Sequence, residues 1–155
     1  MPSGARHLVA LRREYRKAVR LDRTIWLDLL RAVIELAIAR VRLGSRQARD
    51  LLGSNSPANH PSSQPLDRNR ASLVERVAFA IPRAGHRLPW RSDCLVQALA
   101  AQHWLGHHGV DSQLLVGVRK PSPVEFEAHA WLKVGERVVT GGDISGYVPL
   151  IRDQA

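Results

Sequence analysis

The sequence predicts an α+β fold in which helices come first and a small antiparallel sheet comes last. Two patterns carry this expectation. Through residue 108 the apolar residues recur at steps of three and four, the period of helices with a buried face. From Leu114 onward they fall in short valine-rich runs separated by prolines and glycines, as strands and turns do. One stretch inside the first part has no period: Gly53 to Pro65 (GSNSPANHPSSQP), which reads as a linker. The expected division is a helical region over 1–53, a linker over 54–68 and a core over 69–155.

Each element has its own signal. Leu8 to Val19 suits a short basic helix. Asp22 can cap a second, in which Ile25, Leu29, Val33, Leu36 and Ile38 form a stripe widened by Trp26 and Leu30, with Gly44 as its end. Ser45 to Leu52 reads as a turn or short helix. Asn69 to Ile81 is expected to be helical, burying Leu73, Val77 and Ala80, with Pro82 as its stop. A further helix, Asp93 to His108, should close at Gly109 and bury Leu95, Ala98, Leu99, Gln102 and Leu105. Strands are expected at Leu114–Val118, Phe126–Val134, Val138–Thr140 and Tyr147–Ile151. Pro121 and Pro123 break the first, and Gly135-Glu136 turns the second into the third.

The bulk properties remove several function classes. A single cysteine among 155 residues excludes an internal disulfide and suits a reducing compartment, so a cytoplasmic location is expected. The first ten residues lack the apolar core of a signal peptide. The most apolar stretch, Ile25 to Val41, is interrupted by Asp28, Arg31, Glu35 and Arg40, which excludes a membrane span. The net charge of +9 invites a nucleic-acid reading, but its arginines, crowded into the first fifty residues, follow no nucleic-acid motif. They read as a solvated helix face or a surface for an acidic protein or peptide. His103 and His107 stand one helical turn apart without a glutamate or a third ligand at metal-site spacing. They read as exposed histidines at a helix end, and no metal is expected.

Cys94 sits where a loop enters the first turn of a helix, a place that favours a thiolate and leaves backbone N–H groups free. With Ser92 as N-cap it falls inside that turn. A small core cysteine is the alternative. His129, between Ala128 and Ala130 on a strand, shares a face with Glu127, Trp131 and Lys133 and can serve as base; a structural histidine is the alternative. Asp143 follows Gly141-Gly142 and can complete a triad on one condition. With a plain two-residue hairpin at Gly135-Glu136, His129 faces Gly142 and Asp143 points away. One extra residue, in the loop or as a bulge, puts Asp143 opposite His129. The paired glycines favour that irregularity, which is the expectation. Trp90 and Trp131 are candidates to line the cleft, with packing as the alternative.

Cys94-Leu95-Val96-Gln97-Ala98-Leu99 with Gly109 closing the helix, then Leu115-Val116-Gly117-Val118, then Ala128-His129-Ala130-Trp131 closely resembles the lasso-peptide leader peptidases. These are transglutaminase-like proteins, papain-like in the broad sense, of bacterial lasso-peptide biosynthesis. The resemblance covers residues 70–150, and the part with Trp26, Leu29, Leu30 and Arg40 looks like that family's helical lead-in. It implies a transglutaminase-like core, a catalytic helix packed on a small antiparallel sheet, behind a helical amino-terminal part. It also implies a cofactor-free cysteine protease that cuts the leader from a ribosomally made precursor, so that a separate ATP-using cyclase can close the core. The implied partners are the precursor peptide, a small leader-recognition protein and the cyclase. The chain resembles the stand-alone form, with no recognition domain ahead of its helical part. The family's nucleophile falls on Cys94, its base on His129 and its acid on Asp143. The linker at 53–65 departs from the family. Two other functions use the same residues: an acyl transferase or transglutaminase, and a non-catalytic peptide-binding module.

Overall fold

A computed structural model of the chain describes residues 4–44, 66–90, 92–122 and 125–150, with side chains from residue 23 onward except at 121–122. The stretch read as a turn or short helix at 45–52 and most of the linker lie outside these residues.

Helix α1 runs from Gly4 to Gly44 as a single helix of 41 residues. The break expected at Asp22 does not occur. A capping side chain starts a helix only where the chain before it is not helical, and nothing between Val19 and Ile25 interrupts the bonding. Its inward face is Asp28, Ala32, Glu35, Leu36 and Ala39, flanked by Leu29 and Val33. Trp26 and Leu30, expected to widen this stripe, lie on the outer side and are 68% and 59% exposed.

Two carboxylates on an inward face need partners, because an unpaired buried charge is costly. Asp28 receives Nε and Nη2 of Arg76 at 2.8 and 2.5 Å. Glu35 receives Nε of Arg31 at 2.9 Å and lies 2.6 Å from Nδ1 of His103. Arg76→Ala strands the Asp28 carboxylate. It is expected to lower the urea-unfolding free energy by about 2 kcal/mol, less than the roughly 3–5 kcal/mol of a fully buried pair, because the arginine is partly solvated.

Helix α2 spans Arg68–Gly85, with Asp67 as its N-cap: Arg70 N donates to Asp67 Oδ1 at 2.8 Å. Pro82 lies inside this helix instead of stopping it. In the last turn a proline forfeits only one backbone bond, and the packing of Leu73, Val74, Val77, Ala80, Ile81 and Ala84 carries the helix past it. Helix α3 spans Cys94–Gly106. It ends before His108, and Gly109 (φ +64°) makes the turn after it, where Val110 N donates to Leu105 O at 3.1 Å.

The one-sided burial expected for α3 is also corrected. Val96, Ala98, Ala100, Ala101, Trp104 and Leu105 are buried, Leu95 and Leu99 pack partly, and Gln102 is half-buried. The helix touches α1, α2 and the sheet, so little of its circumference faces water. Such a central helix carries no amphipathic pattern.

The sheet is antiparallel, in the order β3-β2-β1-β4: β1 Gln113–Ser122, β2 Glu125–Val134, β3 Arg137–Thr140 and β4 Val148–Pro149. Strand β1 continues through Pro121 to Ser122, because the β1–β2 register shifts between Arg119 and Ser122, where a residue without an N–H does no harm. Strand β4 is shorter than expected and pairs with Gly117 and Val118. Leu132, Val134 and Val139 join α1, α2 and α3 in one core. This is an α+β fold in which a central helix packs between two other helices and a four-stranded antiparallel sheet.

Candidate active site

The N-cap of α3 is Asp93, one residue later than expected, with extended backbone (φ −65°, ψ 163°) and no side-chain cap bond. Cys94 is therefore the first helical residue. Gln97 N donates to Asp93 O at 3.0 Å, the first rung of the helix, so the amides of Cys94, Leu95 and Val96 precede the bonded ladder. Gln97 Nε2 also donates to Ser92 O at 2.8 Å, tying the approaching loop to the first turn. The half-buried thiol thus stands at a helix N-terminus, beside backbone N–H groups that the helix leaves unbonded.

His129 lies on β2 opposite Gly117 of β1. Its Nε2 is 2.7 Å from Gly141 O. A carbonyl only accepts, so Nε2 carries a proton, and in the neutral ring the lone pair is on Nδ1. The ring is set as a base by a backbone atom. Gly141 is required there: its φ is +110°, and a Cβ would come within 2.4 Å of Trp131 Cβ and 3.3 Å of His129 Nε2.

The β2–β3 hairpin has both a two-residue turn and an irregularity. Val134 pairs with Arg137 and Lys133 with Val138, but Leu132 pairs with Thr140, so Val139 is the extra residue. Carried on, that register would set Asp143 against His129. Pairing stops at Thr140, however, and Asp143 Oδ1 accepts from Ser145 N at 2.9 Å and Ser145 Oγ at 2.5 Å. These bonds hold the Asp143 carboxyl below its usual range, so it is charged at neutral pH. The imidazole meets the Gly141 carbonyl, and the carboxylate meets Ser145.

Tyr147 touches the centre from the other side. Its ring lies 5.0 Å from that of His129 and 6.4 Å from that of Trp131. Burial first, then the hydrogen bond to Glu127, raises its hydroxyl above the ordinary phenol range, and charge on Cys94 adds to the rise. Glu127, 3.1 Å from that hydroxyl, is paired with Arg119.

Trp131 is only 2% exposed and packs 6.2 Å from His129 with its ring tilted by 25°. It supports the imidazole and offers little surface to a substrate. Trp90 is half-buried, and its indole N–H has no partner among the described residues. Of the two histidines expected to be exposed at the helix end, His107, just past α3, is exposed, with its Nε2 3.3 Å from His103 Nε2, whereas His103 is half-buried and pairs with buried Glu35. No cluster of three or more metal-ligating side chains occurs among the described residues. A cavity of about 230 Å³ lined by Ile38, Ala39, Arg42, Leu99, Gln102 and His103 lies along the later part of α3, away from Cys94.

Tyr147 packs against the candidate base, and it, Glu127 and Arg119 form a linked group that sequence reasoning missed or set aside. Arg119 and Glu127 are directly opposed in the β1–β2 register, which could be read from the sequence only if the length of the turn through Pro121 were known.

A thiol at a helix tip and a histidine on a strand are the kinds of side chain that acyl transfer through a cysteine uses. The family profile described as transglutaminase-like superfamily matches residues 30–152, and the chain belongs to that superfamily. Proteins of that superfamily are generally cysteine peptidases or transferases. No characterised protein and no solved structure matches the chain. No helix among the described residues is long and apolar enough to cross a membrane.

Proposed function

We propose that the chain is a cytoplasmic cysteine peptidase that removes the leader from a lasso-peptide precursor, working with a small leader-recognition protein ahead of a separate cyclase. The observation that carries the peptidase reading is a thiol at the first position of α3 together with an imidazole whose Nε2 is engaged by Gly141. The leader-peptidase specificity rests on the resemblance of the segments around Cys94, Gly117 and His129.

The Cys94 thiol gives its proton to Nδ1 of His129, and Sγ attacks the scissile carbonyl. The backbone N–H of Cys94 helps hold the oxyanion. The imidazolium returns its proton to the departing amine, leaving a thioester. Water then attacks the thioester, His129 takes the proton from the water, and the free leader departs as Cys94 is regenerated. Trp90, in the loop before α3, is the aromatic side chain assigned here to peptide contact, a role its unpartnered indole N–H supports.

Asp143 is the third member of this proposed triad through its charge, since its carboxylate is bonded to Ser145. Asp143→Asn is accordingly expected to slow cleavage about tenfold. The loss of about 10⁴ seen where a carboxylate fixes the tautomer is not expected, because the Gly141 carbonyl does that here. Steady-state cleavage of a precursor peptide checks this.

The deciding experiment is mass spectrometry of the precursor after incubation with the chain and its recognition partner. Two free fragments support the reading. An amine adduct identifies an acyl transferase, and an unaltered but bound precursor identifies a binding module; either sinks it.

A further inference from the structure

We infer that Tyr147 is a positioning residue for His129: its ring, tethered through Glu127 to Arg119, closes over the imidazole and holds it with Nδ1 toward Cys94. This rests on the Cys94–His129 reading above.

Three observations carry it. The rings of His129, Trp131 and Tyr147 form a triangle with sides of 6.2, 5.0 and 6.4 Å, so the imidazole has an aromatic neighbour on two sides. The phenol is gripped at its far end. Its hydroxyl donates to Glu127 Oε2 at 3.1 Å, and the same oxygen accepts from Arg119 Nε at 3.1 Å and Nη2 at 2.5 Å. The Arg119 guanidinium also lies 4.8 Å from the centre of the Tyr147 ring. Finally, the backbone delivers the ring to this place. The segment from Gly141 to Tyr147 must pass from the β3 edge of the sheet to the β4 edge. Its near end is fixed by the Gly141 carbonyl on His129. Its far end is fixed by Val148 and Pro149 on β1 and by Leu150 N donating to Val116 O at 2.8 Å.

The chemical need is plain. The Gly141 hydrogen bond fixes the tautomer only while it is made; whenever it breaks, the ring can turn about its Cβ–Cγ bond and present carbon where Nδ1 should be. A ring packed against it removes that freedom. Glu127 and Arg119 serve as the tether and leave the base function to His129.

The test uses the full chain, whose single cysteine makes alkylation a report on Cys94 alone. Tyr147→Leu, Tyr147→Phe and Glu127→Gln are compared with the parent by two measurements. One is the His129 tautomer from imidazole ¹⁵N shifts; the other is the pH profile of iodoacetamide alkylation. Tyr147→Leu is expected to mix the tautomers and slow alkylation at neutral pH about tenfold, with the inflection moving toward that of a free thiol. Tyr147→Phe should keep the tautomer, and it and Glu127→Gln should each lose about threefold. Parental tautomer and profile in both Tyr147→Leu and Glu127→Gln overturn the inference, whatever happens to their melting temperatures. Should Tyr147→Leu not fold, Glu127→Gln decides alone, since it alters only an exposed side chain. A parental thiol that titrates like free cysteine defeats the Cys94–His129 reading, while the tautomer comparison still decides the role of Tyr147.

Discussion

Cys94→Ala is expected to remove cleavage altogether while leaving the chain folded. The thiol at the tip of α3 is the group proposed to form the acyl intermediate, and alanine has nothing to attack with. A loss of at least a thousandfold is expected, as in other enzymes stripped of their nucleophile. The cost in stability should be within about 1 kcal/mol, because a half-buried sulfur is lost and neither backbone nor charge pairing changes. The variant should therefore melt as the parent does and still bind the precursor and its recognition partner. Cleavage at more than a few per cent of the parental rate would mean that the reaction does not pass through this cysteine.

Gly141→Ala is expected to damage stability and chemistry together. A side chain at φ +110° strains the backbone by about 1–3 kcal/mol. The new Cβ would also stand 2.4 Å from Trp131 Cβ and 3.1 Å from Trp131 Cα, atoms that cannot swing aside. Together these should lower stability by about 3 kcal/mol or more, a fall of roughly 10 °C in Tm. The carbonyl must move with its residue, so His129 loses its acceptor and alkylation of Cys94 at neutral pH should drop at least tenfold. Gly142→Ala is the control. That residue also has positive φ (+63°), but a Cβ added there would meet no other atom within 4 Å, so only a strain cost of about 1 kcal/mol and parental alkylation are expected. Equal behaviour of the two variants would refute the positional argument.

What could be read from the sequence were the features written locally. Gly109 after α3, the Gly135-Glu136 turn and the extra residue ahead of the paired glycines each depend on a few neighbouring residues, and each is present in the fold. The continuity of α1 was not legible, because Asp22 looks the same as a cap and as an interior residue. Nor was the burial of α3, since a helix surrounded by other elements loses the period on which such reading depends. The partners of His129 could not be read either. Its acceptor is a main-chain carbonyl, which no residue type announces, and its ring neighbour Tyr147 arrives only through the crossing from β3 to β4.

Helix α1 also has a history in time. It leaves the ribosome before α2 and α3, and the inward faces of Ala32, Leu36 and Ala39 have no cover until residues up to Gly106 have followed. Over that interval Asp28 and Glu35 stay hydrated, opposing premature burial of the face they share. They become fully paired when Arg76 and then His103 are made. The two carboxylates thus tie completion of the α1 face to residues made later, in α2 and α3.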